Sequence, residues 1–326
     1  MFSKGSKGPI RGWPKSDHIA ESCPRCILGA CKKESGANNK RSLLSRTTKK
    51  KGMGMPGWRL AALQRNELLF RCPKTHSPTA LCPTHTHLRS MAADSRYPVC
   101  PSTGIVSFIA EGDLSDRDRA VQQHYDRLSR IRLSPFFETI RHKNALAQSA
   151  HVVGTDGLHA GSKILEVGAG TGSNSVGLST RPIGCDFIGL DLSWCSLEEA
   201  SRRPTVDVCV HGKAEQLPFT SGVFNVVFMC HGNLHLLPDV TSVVQEMRRV
   251  CDPVRGTVTI LDVTTKKFLS HPERFPFLPA ADEDINTIAT RCAPNRVVES
   301  LIHLGEEPEV DHFDDGNMWR VVFRRK

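Results

Sequence analysis

The stretch Lys163–Ser175, K-I-L-E-V-G-A-G-T-G-S-N-S, limits the fold of this chain more than any other. A short apolar run (Ile164, Leu165, Val167) holds one carboxylate, Glu166, and ends in glycines at alternate positions, Gly168, Gly170 and Gly172. That pattern predicts a buried strand entering a tight glycine turn and then a helix. Side chains at the glycines would hold a ligand off the backbone, so the turn predicts the docking of a nucleotide-like cofactor.

From Gly161 onward apolar segments alternate with helical ones, the pattern of an α/β sheet. Strands are predicted over Lys163–Val167, Asp186–Leu190, Val206–Val210, Val223–Met229 and Thr257–Val263. Near-continuous apolar runs of this kind suit central parallel strands covered on both faces. The helix after the glycines is short because Pro182 closes it, and Ser193 is placed to cap the next, which stops before Pro204. Val240, Val243, Val244, Met247 and Val250 share one face of an amphipathic helix. Helices are expected over Asn286–Ala293 and Val297–Leu304, and an antiparallel edge pair over Glu309–Phe313 and Trp319–Phe323.

Ahead of the sheet, Ser115-Asp-Arg-Asp118 resembles a capping box. Ala120, Val121, Tyr125, Leu128 and Ile131 then follow near helical spacing, with His124, Tyr125 and Asp126 on that helix. By composition alone Tyr125 is a half-buried tyrosine with solvated neighbours. A second helix is expected over Leu133–Leu146.

Three readings of the glycine loop compete. A phosphate-binding P-loop needs Gly-Lys-Ser/Thr, whereas Gly172 is followed by Ser173-Asn174, which removes ATP by that route. A dinucleotide loop needs G-x-G-x-x-G, and here Ser173 stands where the third glycine belongs. The third is E-x-G-x-G-x-G, Glu166 to Gly172, which resembles motif I of the class I S-adenosylmethionine-dependent methyltransferases. Downstream segments arrive in that family's order. Asp191 ends the second strand, a feature shared with NAD-binding folds. Gly212-Lys-Ala-Glu-Gln-Leu-Pro-Phe219 resembles the family's G-D-A-x-x-L-P-F, and Gly222-Val-Phe-Asn-Val-Val-Phe228 its F-D-x-V strand. Leu234-His-Leu-Leu-Pro-Asp239, with Arg249-Val250 and Gly256, resembles the passage from the fourth strand to the fifth. Within the family the chain is most similar to the type 11 group, which includes quinone-biosynthesis enzymes.

The resemblance covers residues 115–326 and implies a Rossmann-like, seven-stranded sheet, mostly parallel with an antiparallel edge strand, with helices on both faces. It implies S-adenosylmethionine as cofactor. Glu166, Gly168, Ala169, Gly170 and Gly172 would then line its methionine end. Asp191 would hold the ribose and Leu192 flank the adenine. Ala214 and Glu215 would lie by the adenine, and the backbone carbonyl of Cys230 would meet the amino group. Two residues depart from the family. Lys213 stands where an acid commonly contacts the adenine amino group, and a cation cannot accept that hydrogen bond. The contact would pass to Glu215, pass to the backbone at Ala214, or be lost. Asn225 replaces the usual aspartate of the fourth strand.

Methyl transfer from a sulfonium is an in-line displacement that mainly needs alignment and water exclusion. A base is needed only where the nucleophile carries a proton. His231, just beyond the fourth strand, is the candidate base, ahead of Asp262 at the end of the fifth. The loop there lacks the N/D-P-P-Y/F motif for nucleobase or glutamine amino groups, and there is no Pro-Cys arrangement for cytosine-carbon methylation. The expected acceptor is a small molecule. A tRNA wobble uridine, or a catalytically silent cofactor-fold binding module, are the alternatives.

The first ninety residues differ in character. They hold 18 Lys/Arg against 4 Asp/Glu, the remaining 236 hold 25 against 30, and a basic block lies at Thr47–Lys51. Residues 1–90 show no sustained period and are expected to be a basic extension with little packed structure, followed by a linker over 91–114. Such a tail suits RNA contacts, an organelle-targeting role or no role at all. Cys23, Cys26 and Cys31 resemble half a zinc site, but Cys72, Cys82, His76, His85 and His87 follow at irregular spacing, so no metal is expected. The cysteines of the periodic region are scattered, as in a reducing compartment, which makes the cytoplasm the expected location. No apolar run approaches the roughly 20 residues of a membrane span.

Overall fold

The computed structural model describes residues 54–131, 158–179, 181–230, 234–270, 285–314 and 316–324. In chain order it runs through α1 (Gly57–Arg65), β1 (Thr79–Leu81), β2 (His87–Ser90), β3 (Arg96–Pro98), β4 (Val106–Ser107), α2 (Asp116–Ile131) and β5 (Lys163–Val167). It continues through α3 (Asn174–Gly177), β6 (Asp186–Asp191), α4 (Trp194–Ala200), β7 (Val208–His211), β8 (Val226–Cys230), α5 (Val240–Val250) and β9 (Thr257–Val263). It closes with α6 (Thr265–Ser270), α7 (Ile285–Arg291), α8 (Pro294–His303), β10 (Glu309–Phe313) and β11 (Met318–Arg324).

The main sheet has the order β10-β11-β9-β8-β5-β6-β7-β4. Strands β4 to β9 pair in parallel, and β11 runs antiparallel to both β9 and β10. The mostly parallel, Rossmann-like architecture is therefore as the sequence implied, with one correction: the sheet has eight strands, not seven. The eighth is β4, which pairs Val106 with Val210 and Ser107 with His211 along the open side of β7. From β5 the chain builds outward through β6 and β7, then crosses back to lay β8 and β9 on the other side. The order reverses at β5, and the crevice beyond the carboxyl ends of β5 and β8 is where ligands of open α/β sheets bind.

The strands form where apolar side chains are continuous. All five residues of β8 are buried, as are Ile164, Leu165 and Val167 of β5. Helix α5 covers the sheet with Val240, Val243, Val244, Met247 and Val250, each at most 4 % exposed, and Asp239 caps it by accepting from Thr241 N and Ser242 N. Burying each such side chain is worth about 1.5–3 kcal/mol. Asn225 has a structural duty away from the crevice. Its Oδ1 accepts from Lys163 N at 2.9 Å and its backbone bonds Lys163 O and Thr257 N, knitting the starts of β5, β8 and β9.

The larger correction concerns the segment ahead of the sheet. Residues 57–113 are neither extension nor linker. Helix α1, the antiparallel sheet β1-β2-β3 and β4 join the same core as the main sheet. Phe70 is fully buried, its ring 5.6 Å from Phe108 and 5.7 Å from Phe219, and Thr220 N donates to Leu69 O at 2.7 Å. Arg59 is 3 % exposed, and its guanidinium donates to Val206 O at 3.2 Å and Arg203 O at 3.4 Å. Arg65 pairs with Asp186 at 2.8 Å. The Cys-Pro pairs at 72, 82 and 100 are hairpin ends. Their cysteine carbonyls accept from His76 N, His85 N and Gly104 N at 2.8–2.9 Å, and each donor residue has a positive φ. Among the described residues no three His, Cys, Asp or Glu converge on a metal position. The basic stretch 1–53 and the helix expected over Leu133–Leu146 lie outside the described residues.

Candidate functional site

The carboxyl ends of β5, β6, β7 and β8 open into one cleft, continuous with solvent. It is lined by Gly168 after β5, Leu190, Asp191 and Leu192 at the end of β6, Gly212–Glu215 after β7, and Met229 on β8. Its far walls are Asp118, Val121 and Tyr125 of α2 and the loop Leu236–Pro238.

The glycine loop turns sharply at its floor. Gly168, Gly170 and Gly172 have φ of 76°, 54° and 71°, a region that only glycine enters without strain. The three glycines have different neighbours. A Cβ at Gly172 would lie 2.8 Å from Val206 Cγ2 and 3.2 Å from Ala200 Cβ at the end of α4, so this glycine serves packing, whereas a Cβ at Gly170 would meet nothing within 4 Å. Gly168 N and Ala169 N both donate to Leu190 O, at 2.8 and 3.0 Å, tying the loop to β6. Glu166 is buried beneath the loop, and its Oε1 accepts from Asn174 Nδ2 at 2.6 Å.

Asp191 is the hub. One carboxylate oxygen accepts from Gly170 N and the other from Ser193 N, both at 2.7 Å. Burial nevertheless outweighs these bonds and pushes its carboxyl up to about 6. Helix α2 is laced to the same rim. Asp126 Oδ1 accepts from Ser193 Oγ at 2.6 Å and Cys195 N at 3.0 Å, and Gln122 Nε2 donates to Leu192 O at 3.1 Å. Lys213, after β7, pairs with Asp118 at 2.7 Å.

His211 joins the parts. Its Nε2 lies 3.1 Å from Leu192 O and its Nδ1 2.9 Å from Ser107 Oγ on β4. Burial pushes the imidazole down to about 4, so it is neutral near pH 7. In the unfolded chain a histidine titrates near 6.5, so the folded state binds this proton more weakly. The stability this contributes is complete above pH 6.5 and is lost as pH falls toward 4. Asp191, raised from its ordinary value, works in the opposite direction over an overlapping range. Comparing wild type with His211→Gln by denaturant unfolding at pH 7 and 4.5 isolates the histidine. The variant is expected to lose less stability on acidification, by on the order of 2–3 kcal/mol. An unchanged acid slope would overturn the assignment.

Of the residues singled out from sequence, Gly168, Asp191, Leu192, Ala214 and Glu215 line the cleft. Ala169 and Gly172 pack behind the loop, and Cys230 is buried at the end of β8, with Met229 beside it facing the cleft. His231 lies outside the described residues. Asp262 is 1 % exposed and accepts from Leu234 N at 3.3 Å, which ties the end of β9 to the chain after β8. Asp118, Val121 and Tyr125 were missed as site residues. Their spacing of three and four places them on one face of α2, but nothing local says which partner that face meets.

Residues 164–254 match the family model described as "Methyltransferase domain". The chain is 33 % identical over 150 residues to a demethylmenaquinone methyltransferase of Staphylococcus epidermidis, covering 44 % of this chain and 57 % of that one. It is 32 % identical over 109 residues to the protein of the same name from Beutenbergia cavernae, covering 33 % and 44 %. The chain thus spans about half the length of the curated relatives it matches. A geranyl diphosphate C-methyltransferase of Streptomyces coelicolor superposes with a TM-score of 0.47 at 12 % identity, covering 65 % of this chain and 99 % of that one. Among the described residues no helix is long and apolar enough to cross a membrane.

Proposed function

We propose that this chain, whose residues 164–254 are a domain of the class I S-adenosylmethionine-dependent methyltransferases, transfers a methyl group from that cofactor to a small, largely apolar acceptor. The observation that carries the reading is the meeting of the glycine loop, Asp191 and the Gly212–Glu215 loop in one cleft at the reversal of strand order.

The residues present fit the cofactor. Gly168 and Gly170 would offer bare backbone to its amino-acid end, with Glu166 buried beneath the loop, and the Cys230 carbonyl would accept from its amino group. The Asp191 carboxylate suits the ribose hydroxyls. Leu192 and Ala214 would flank a flat base. When bound, S-adenosylmethionine supplies a methyl group already activated on a sulfonium. The chain's own share is to align the acceptor and exclude water, and Val121, Tyr125, Met229, Leu236, Leu237 and Pro238 provide a predominantly apolar wall for that purpose. His231 is assigned the base from its position after β8, for an acceptor whose nucleophile must first lose a proton. The apolar wall and the named activity of the relatives support an aromatic, quinone-like acceptor.

Full-length protein incubated with methyl-labelled cofactor and separated extract fractions tests the reading. Label is expected in the organic-extractable small-molecule fraction. Label in RNA or protein, or in no fraction, would overturn it.

A further inference from the structure

Among the described residues one ion pair lines the cleft, at the end formed by the loop after β7. Lys213 Nζ lies 2.7 Å from Asp118 Oδ2, bridging that loop to the first turn of α2. Asp118 is 8 % exposed, and the same Oδ2 accepts from Ser115 N at 3.0 Å while Asp118 N donates to Ser115 Oγ at 3.1 Å. The carboxylate is thereby fixed in place. Burial opposes its ionisation, but the Lys213 ammonium and Ser115 hold it below the ordinary carboxylate range. The Ser115 N and Lys213 Nζ donors both fall on Oδ2. Lys213 carries three N–H donors and spends one on Asp118. The pair therefore presents an acceptor and a donor side by side at the cleft wall. Val121, one turn along α2 from Asp118, and Leu192 and Ala214 line the same cleft as apolar surfaces.

An adenine edge requires that arrangement. Its 6-amino group donates, and the neighbouring ring nitrogen N1 accepts. A lysine alone cannot receive the amino group, and a carboxylate alone cannot serve the ring nitrogen. We propose that the Asp118–Lys213 ion pair reads the adenine edge of the cofactor as a unit, Asp118 Oδ1 accepting from the 6-amino group and Lys213 Nζ donating to N1. This rests on the cofactor reading above. It assigns base recognition to a side chain from α2, paired with Lys213 of the loop after β7, and leaves Glu215 without that duty. Hypoxanthine reverses both groups, with an oxygen at position 6 and an N–H at N1, so the pair rejects it by leaving buried partners mismatched.

Calorimetric titration of the full chain with S-adenosylhomocysteine and S-inosylhomocysteine tests the assignment. Wild type is expected to bind the inosine analogue at least about tenfold more weakly, the equivalent of one mismatched hydrogen bond. Asp118→Asn, whose amide still accepts from Ser115 N and can also turn its NH₂ toward a 6-oxygen, is expected to reduce that preference to roughly threefold or less. Glu215→Gln is expected to keep the wild-type preference. Lys213→Met, read independently should the Asp118 variant fail to fold, is expected to lose about tenfold for S-adenosylhomocysteine. Three results would overturn the assignment: an unchanged preference in Asp118→Asn, a preference lost in Glu215→Gln, or tighter binding in Lys213→Met. Wild type that binds S-adenosylhomocysteine without discriminating sinks the assignment alone, whereas wild type that binds neither ligand sinks the cofactor reading with it.

Discussion

Asp191→Ala is expected to weaken S-adenosylhomocysteine binding by about two orders of magnitude, measured by calorimetry at pH 7.5. The loss has two sources. In the proposed placement the ribose hydroxyls would lose a charged acceptor, and Gly170 N and Ser193 N lose the carboxylate that holds both at 2.7 Å. Each charge-assisted hydrogen bond is worth about 1.5–3 kcal/mol, so losing the set accounts for a change of this size. A pH dependence follows with a definite sign. Because burial raises this carboxyl to about 6, the ionised acceptor is present above that pH and is lost as pH falls through it. Wild-type affinity is therefore expected to decline between pH 7 and 5, and that of Asp191→Asn to stay flat over the same range. A fall of less than about fivefold in the alanine variant would show that Asp191 does not contact the ligand.

Trp319→Ala is expected to destabilise the protein by about 3–5 kcal/mol in denaturant unfolding, and Trp319→Phe by about 1–2 kcal/mol. Trp319 is fully buried on β11, and its Nε1 donates to Val263 O at 3.1 Å and to Cys292 O at 2.7 Å. It thus ties β9 to the residue that follows α7. Alanine removes the ring and leaves a cavity, whereas phenylalanine keeps most of the apolar contact and leaves the two carbonyls without that donor. Equal losses in the two variants would mean that the hydrogen bonds, not the ring, carry the stability.

What the sequence made legible was what repeats locally. β9 was predicted with its observed bounds, and the buried face of α5 was read residue by residue, because each depends on periodicity within one segment. The glycine loop and Asp191 were legible for a related reason, since a backbone corner and the carboxylate facing it leave a fixed spacing. The folded state of residues 57–113 was not legible. Its strands are two to four residues long, prolines stand at 73, 78, 83, 98 and 101, and its apolar residues meet partners far along the chain. Phe70 packs on Phe219, and no window around either residue records the other. A signal was nonetheless present in three Cys-Pro pairs, each closing a turn, with Leu88, Tyr97, Val99, Val106 and Phe108 between and after them. The cleft was legible on its strand side and not on its α2 side for the same reason. The capping box at Ser115 marks where that helix begins, but Asp118 gains its meaning only from Lys213.

The placement of β4 also constrains the order in which this protein can be assembled. Ser107 and its partner His211 are 104 residues apart, and Arg59 lies 150 residues from Cys209, the thiol against its guanidinium. The segment 57–113, made before the rest of the main sheet, is therefore completed only after β7 has been made. Its core aromatics, its buried arginine and its edge strand all wait for residues 203–220 to be synthesised. Contacts of such long range are slow to form, and the apolar faces that await them stay uncovered in the meantime. A nascent chain halted before His211 would hold Phe70 without Phe219 against its ring, and Phe108 N without its acceptor, His211 O.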